Sequence, residues 1–273
     1  LEKSPDHLLA NYNFGLAQEI QNNGATAAKH FERVVNAEPH NVEAYVKLIN
    51  TLGRSGQVTA AHFRIEEMLK RNPNSPDAHI AAATILMEQN RLPDAISTLR
   101  QAIQMDPKRP EAHYQTGAAH AMMGGFNESI PFFEEALRLK PDFAEAHFSL
   151  GMVHSQLGQT EEAIQKFQDT LGVQPDFVPA LMQLGYIWSS HEKTGLRNGP
   201  EAVKVAEKAA QLTRHQDPAV LNVLGMAYAQ DKKWKDALEV SRRALSIAIS
   251  NGDQTLAAQI EAHLADYEKA REN

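Results

Sequence analysis

The sequence predicts an all-α protein built from repeated helix pairs, and three regularities with one period indicate it. Proline, a bulky apolar residue and a small residue each recur at intervals of 34 residues. A fixed period of about 20–50 residues is typical of repeat architectures, in which each unit buries its apolar face against its neighbours. The three series are Pro39, Pro73, Pro107, Pro141 and Pro175; Phe31, Ile65, Leu99, Phe133 and Phe167; and Ala27, Ala61, Ala95, Ser129 and Ala163.

Each unit is predicted to form two helices, as the stretch from residue 110 to 141 illustrates. Pro110 suits the first turn of a helix, where its missing N–H costs nothing. Gly124 breaks the chain, after which Phe133 and Leu137 continue an apolar face at a spacing of four residues. Pro141 ends the second helix, because proline disfavours the helical conformation of the residue before it.

The spacing resembles the tetratricopeptide repeat, in which small residues stand at positions eight and twenty and proline at position thirty-two. The segment Glu145–Pro175 matches nearly every position of that pattern. The resemblance implies a right-handed superhelical solenoid of antiparallel helix pairs, with seven repeats and a C-terminal capping helix at 253–270. The repeats are 8–41, 42–75, 76–109, 110–143, 144–177, 178–217 and 218–251, and the sixth contains a loop insertion at 191–199.

Length alone favours two domains, because about 150 residues per domain is common and the chain has 273. The repeat outweighs that argument, since units that pack only on their neighbours form one continuous array. We therefore predict a single solenoid over residues 1–273.

Composition excludes several classes of function. The absence of cysteine excludes disulfides, cysteine-ligated zinc and a thiol nucleophile. A net charge of −7 argues against binding to nucleic acid. No apolar run approaches the roughly 18 residues of a membrane span, and no leader is visible, so we expect a soluble chain without membrane insertion, in a compartment that the sequence does not indicate.

Candidate binding residues follow from the resemblance. In tetratricopeptide proteins the first helices line a concave groove through their second, fifth, ninth, twelfth and thirteenth positions. Methionine and aromatic side chains at these positions suit an apolar helix or peptide, although bulky fifth positions could instead pack between helices. The predicted groove residues are Tyr12, Val46, Asn50, Ile80, Met87, Tyr114, Met122, Phe148, Met152, Met182, Tyr186 and Met226.

A file of carboxylates occupies the second position of four repeats, which predicts an acidic groove edge at Glu43, Asp77, Glu111 and Glu145. It would favour a partner with basic residues beside its apolar anchors. Acidic residues also favour the first turn of any helix through the helix dipole, and the two interpretations are compatible.

The sequence matches two narrower patterns within this family only in part. Some tetratricopeptide proteins hold the terminal carboxylate of a chaperone with a clamp of cationic side chains and asparagine. At the positions of those cations this chain has Tyr12, Val46 and acidic residues, and only Asn50 matches the clamp. The segment around His147 is similar to the repeats of O-linked N-acetylglucosamine transferases, but their asparagine ladder is broken here and no catalytic domain follows.

Twelve histidines raise the question of a metal site. His79, His113 and His147 share the fourth position, and His120 and His154 share the eleventh, but no H-E-x-x-H motif is present. We expect structural histidines, no bound metal and no cofactor. Nucleotide-binding and nucleophile-elbow motifs are also missing, so no catalytic residue is predicted.

The predicted function is a non-catalytic scaffold that binds a peptide or helix of another protein in its groove. The alternatives are a self-assembling structural scaffold, and a regulatory arm of a larger enzyme or membrane protein. The start at Leu1 rather than at methionine favours a processed chain or a piece of a longer one. The insertion at 191–199 is the one element that the repeat does not require, and it is either functional or a spacer.

Overall fold

The computed structural model describes residues 7–191 and 194–272. This part of the chain forms α-helices and one short 3-10 helix, and no strand occurs within it, which confirms the all-α prediction. The chain divides into two compact units, Leu1–Pro141 and Asp142–Asn273, which are described separately.

The first unit consists of helix pairs in which each helix packs on the next one along the chain, and α3, α5 and α7 also pack on one another in sequence. Short turns join the helices, as in an antiparallel helical hairpin. The helices are α1 (Leu8–Ile20), α2 (Gly24–Ala37), α3 (Val42–Arg54), α4 (Val58–Arg71), α5 (Pro76–Glu88), α6 (Leu92–Met105), α7 (Pro110–Met122) and α8 (Phe126–Leu139).

The second unit repeats this arrangement and adds a final helix. Again each helix packs on the next, while α13 also packs on α11 and α15. The helices are α9 (Ala144–Gln156), α10 (Thr160–Val173), α11 (Val178–Ser190), α12 (Gly199–Leu212), α13 (Pro218–Gln230), α14 (Trp234–Ser250) and α15 (Gln254–Glu272).

Local sequence explains where the helices begin. The odd-numbered helices α1 to α13 start at the residues that open the seven predicted repeats. Pro76, Pro110 and Pro218 stand in first turns, where proline loses no hydrogen bond. The side chain of Asn41 accepts a hydrogen bond of 2.9 Å from the Ala44 amide, which satisfies one of the free N–H groups at the start of α3.

The turns inside six of the repeats share a left-handed residue at the fifteenth position, with φ between +59° and +79°. The next amide closes the turn by donating to the carbonyl five residues earlier, as Gly125 does to His120 at 2.9 Å. Glycine adopts this conformation freely and asparagine tolerates it, whereas lysine pays a steric cost. The six residues are Asn22, Gly56, Asn90, Gly124, Gly158 and Lys232.

Each unit has its own apolar core between first and second helices. Fully buried residues of the first unit include Phe31, Tyr45 and Leu48, and those of the second include Phe167 and Leu181. Burial of side chains of this size contributes about 1.5–3 kcal/mol each, which makes the interhelix core the main source of stability.

The predicted insertion at 191–199 forms a short connection between α11 and α12. Glu192 and Lys193 lie outside the described residues, and Thr194–Leu196 form one 3-10 turn. Arg197 Nε donates to the His191 carbonyl at 2.7 Å, and the Asn198 side chain caps α12. The described part of the insertion is therefore held by local hydrogen bonds.

Candidate functional site

Aromatic residues at the fifth position of three repeats pack edge-on or tilted against a phenylalanine of the following helix. Ring centroids are 5.7 Å apart for Tyr12 and Phe31, 5.8 Å for Tyr114 and Phe133, and 5.6 Å for Phe148 and Phe167. The three phenylalanines are buried, whereas Tyr12, Tyr114 and Phe148 are half-buried. The fifth-position rings therefore pack on the core and still expose part of their surface.

The remaining predicted groove residues of the first unit differ in accessibility. Val46 and Ile80 are half-buried against the core cluster. Asn50 is half-buried and lines a cleft of about 460 Å³ between α3 and α5. Met87 is only 8% exposed and belongs to the core, so little of it can meet a partner, while Met122 is 56% exposed.

The predicted groove residues of the second unit also differ in accessibility. Phe148, Met152 and Met182 are half-buried and pack against the core cluster. Tyr186, one turn beyond Met182 on α11, is 53% exposed. Met226, at the corresponding place on α13, is half-buried.

The four carboxylates of the predicted acidic edge are all exposed in the first turns of their helices. The Tyr12 hydroxyl donates a 2.5 Å hydrogen bond to Glu43, and Asp77 forms an ion pair with Arg109. Burial and the hydrogen bond to Glu43 raise the pKa of Tyr12, which keeps its hydroxyl a donor. Two of the four carboxylates, Glu43 and Asp77, therefore already interact with other side chains of the protein.

The histidines of the fourth position interact with nearby groups of the chain. His79 Nδ1 donates to the Ser75 carbonyl at 2.9 Å, and His113 Nε2 donates to the Pro107 carbonyl at 2.9 Å. His147 lies 3.8 Å from Asp169. Among residues 7–191 and 194–272, no group of three or more metal-ligating side chains is close enough to hold an ion.

Sequence reasoning missed a cleft of about 310 Å³ in the second unit, between α11, α13 and α15. Its lining includes Met226, Trp234, His263, Asp266 and Tyr267. The predicted capping helix was the sequence feature that pointed to it, because α15 packs on α13 and α14, where the first helix of a further repeat would stand. The capping helix α15 therefore forms one wall of this cleft as well as covering the core.

No helix in the part of the chain that the structure describes combines the length and apolar character of a membrane span.

Comparison with known proteins identifies the repeat. Family models described as tetratricopeptide repeat match residues 20–79, 52–120 and 132–165. No curated protein matches the chain. The narrower resemblance to the transferase repeats stays a prediction.

Solved structures share the fold at low sequence identity. YrrB, described as a TPR protein with an unusual peptide-binding site, is 21% identical with a TM-score of 0.57, over 72% of this chain and 97% of its own. A chain of the APC/C hetero-tetramer Cut9–Hcn1 is 20% identical with a TM-score of 0.59, over 96% and 50%. TTC0263, a thermophilic TPR protein from Thermus thermophilus, is 21% identical with a TM-score of 0.51, over 64% and 96%. The chain therefore contains tetratricopeptide repeats and has their helical-pair fold.

Proposed function

We propose that the chain is a non-catalytic scaffold that binds an apolar segment of a partner protein on its first helices. One observation carries the proposal. In the second unit Phe148 and Met182 are packed on the core yet partly open, and Tyr186 is 53% exposed beside them. Large apolar side chains left open at the predicted groove positions are the feature that a helix or peptide partner needs.

The packing of the Phe148 ring supports this proposal. The Phe148 ring lies 5.6 Å from that of Phe167 and 5.1 Å from that of Phe177, so its position is held before any partner arrives. A side chain that is already ordered loses less conformational entropy on binding. The methionines beside it supply adaptable contacts, since the thioether is flexible and polarizable.

The cleft between α3 and α5 supplies polar contacts in the first unit. Asn50, Arg54 and Glu88 line it together with Ile49 and Ile85. Amide and charged side chains above an apolar floor can hydrogen-bond the main chain of a bound peptide while its side chains pack below. We propose that Asn50 acts in this way.

The acidic edge favours a partner with basic residues. Glu111 and Glu145 are exposed at the first turns of α7 and α9, as Glu43 and Asp77 are on α3 and α5. Surface carboxylates attract a basic segment and speed its encounter, with a modest gain in affinity that salt reduces. The proposed partner segment is therefore apolar, with lysine or arginine beside its anchors.

Selection from a library of phage-displayed random peptides tests the proposal without a known partner. The wild-type chain, a Tyr186→Glu variant and an Ile249→Glu variant serve as parallel baits. Ile249 is 60% exposed on the second helix α14, so its substitution places the same charge away from the first helices.

The proposal expects apolar peptides with flanking basic residues, enriched on the wild type and on Ile249→Glu but not on Tyr186→Glu. Enrichment that is equal on Tyr186→Glu, or that disappears on Ile249→Glu alone, would contradict it.

A further inference from the structure

The cleft between α11, α13 and α15 combines aromatic surface with one carboxylate. Trp234 comes from the start of α14, while His263, Asp266 and Tyr267 come from α15. A volume of about 310 Å³ is at the small end of the range for ligand pockets, and it suits one long side chain better than a whole ligand.

Three rings form one connected group in this cleft. The centroids of Trp234 and Tyr267 are 6.5 Å apart, and those of His263 and Tyr267 are 6.1 Å apart with an interplanar angle of 18°. Tyr267 is buried in a small cluster with Ala237 and Leu238, and Trp234 packs against this cluster while half-buried. The position of the indole is therefore held by packing, and part of it remains accessible.

Asp266 gives the cleft its charge. Among the described residues of the lining, it is the one carboxylate, and it is exposed. Lys269 and Arg271 lie on the last turn of α15, but neither lines the cleft. A carboxylate next to aromatic faces attracts a cation both by its charge and through the ring quadrupoles.

His263 does not oppose a cation at this site. Its Nδ1 donates to Asn222 Oδ1 at 3.0 Å, and burial lowers its pKa more than the nearby Asp266 raises it. The imidazole is therefore neutral at pH 7.5 and adds ring surface rather than repulsion.

We propose that this cleft binds an arginine side chain of the partner segment. The inference rests on the proposed function, because that function supplies the partner segment. Met226 lines this cleft and is also one of the predicted groove residues. Arginine is preferred over lysine because a planar guanidinium stacks on an indole and donates two parallel hydrogen bonds to a carboxylate.

The test uses a small probe that needs no partner. N-acetyl-arginine methylamide is titrated into the ¹⁵N-labelled chain, and the two tryptophan indole N–H signals are followed by NMR. A Trp234→Phe variant assigns them. Trp188 is buried in the core of the second unit and serves as an internal reference for folding.

The proposal expects a saturable shift of the Trp234 signal with the arginine probe and little shift with the citrulline analogue, which has nearly the same shape without the charge. Asp266→Asn should weaken the fitted affinity about fivefold or more, because it removes the charge-assisted hydrogen bonds. Glu261→Gln removes one charge from the exposed surface of the same helix and should leave the affinity within about twofold.

An unresponsive Trp234 signal, an equal response to citrulline or to N-acetyl-lysine methylamide, or an unchanged affinity in Asp266→Asn would overturn the proposal. None of these outcomes bears on Tyr186 or on peptide selection, so failure here is distinguishable from failure of the proposed function.

Discussion

The ring of Phe167 lies directly against the backbone of Gly151, so that a Cβ atom on this glycine would stand 2.7 Å from Phe167 Cε1. The same contact occurs between Gly15 and Phe31, again at 2.7 Å. Real Cβ atoms do not approach a ring so closely. Glycine at the eighth position of these repeats is therefore required by the phenylalanine of the next helix.

We expect Gly151→Ala to destabilise the second unit by about 1–2 kcal/mol. Alanine gains about 1 kcal/mol of helix propensity over glycine, but overpacking against a buried ring costs about 1–3 kcal/mol and more when the ring cannot move. Phe167 is completely buried, so the steric cost exceeds the gain. The free energy of unfolding in urea measures the difference.

Two further variants separate the steric cost from the effect on the helix. Gly172 lies in the last turns of α10, and a Cβ atom added to it would have no atom within 4 Å beyond its chain neighbours and the local helix backbone. Gly172→Ala should therefore stabilise by about 0.5–1 kcal/mol. The double variant Gly151→Ala/Phe167→Leu imitates the third repeat, which has Ala83 and Leu99. If Gly151→Ala destabilises the Phe167→Leu variant as much as it destabilises the wild type, ring contact is not the cause.

Met87 and Met122 should differ in their contribution to stability, although both are predicted groove residues. Met87 is 8% exposed within the core cluster, whereas Met122 is 56% exposed. Met87→Ala should cost about 2–4 kcal/mol through lost burial and the cavity left behind, and Met122→Ala less than about 0.5 kcal/mol. Equal unfolding free energies of the two variants would disprove the burial of Met87.

Lys232 is the residue at which the repeated turn departs from glycine or asparagine, and its φ is +59°. Lys232→Gly should therefore stabilise the chain by about 0.5–1 kcal/mol. Glycine removes the steric strain at positive φ, and this gain is larger than the cost of the greater conformational entropy that glycine gives the unfolded chain. Lys232→Ala keeps the strain and is the control. If Lys232→Ala stabilises the chain as much as Lys232→Gly in thermal or urea unfolding, the gain in stability does not come from the backbone conformation.

The pH dependence of stability should include a contribution from His263. Its folded-state pKa is lowered by burial, so the stability from its neutral form is present above the unfolded value of about 6.5 and is lost as pH falls through the folded value. Asn222, Asp266 and Tyr267 surround it.

The urea midpoint should fall between pH 7.5 and pH 5.5, and it should fall less in His263→Gln, whose amide can still bond to Asn222. A residual decrease is expected from His30, whose pKa is also lowered by burial and by Arg33. If the variant and the wild type lose equal stability, His263 does not contribute.

Much of the fold could be predicted because its causes are local and repeated. Prolines such as Pro76 and Pro110 mark helix starts through their own geometry, and a 34-residue period needs no knowledge of distant contacts. The left-handed turns were harder to find, since asparagine and lysine replace glycine at Asn22 and Lys232 and only a shared register reveals them.

The candidate site was less predictable because accessibility depends on packing between helices. Met87 and Met122 stand at the twelfth and thirteenth positions of their repeats, and both positions are predicted to face the groove. A difference of one residue along the helix nevertheless leaves Met87 enclosed by core residues and Met122 exposed. The packing of Tyr114 against Phe133, and the cleft completed by Tyr267 of α15, depend on interhelix geometry that one sequence does not reveal.

The affinity of a selected peptide for matched variants tests the central claim, partner binding on the first helices, most directly. A fluorescently labelled peptide from the selection is titrated against the wild type, Tyr186→Glu and Ile249→Glu, with circular dichroism to verify that each variant is folded. We predict that Tyr186→Glu raises Kd about thirtyfold or more, which corresponds to about 2 kcal/mol, and that Ile249→Glu changes it less than about twofold. A Kd that Tyr186→Glu leaves unchanged, or that Ile249→Glu raises as strongly, would contradict binding on the first helices.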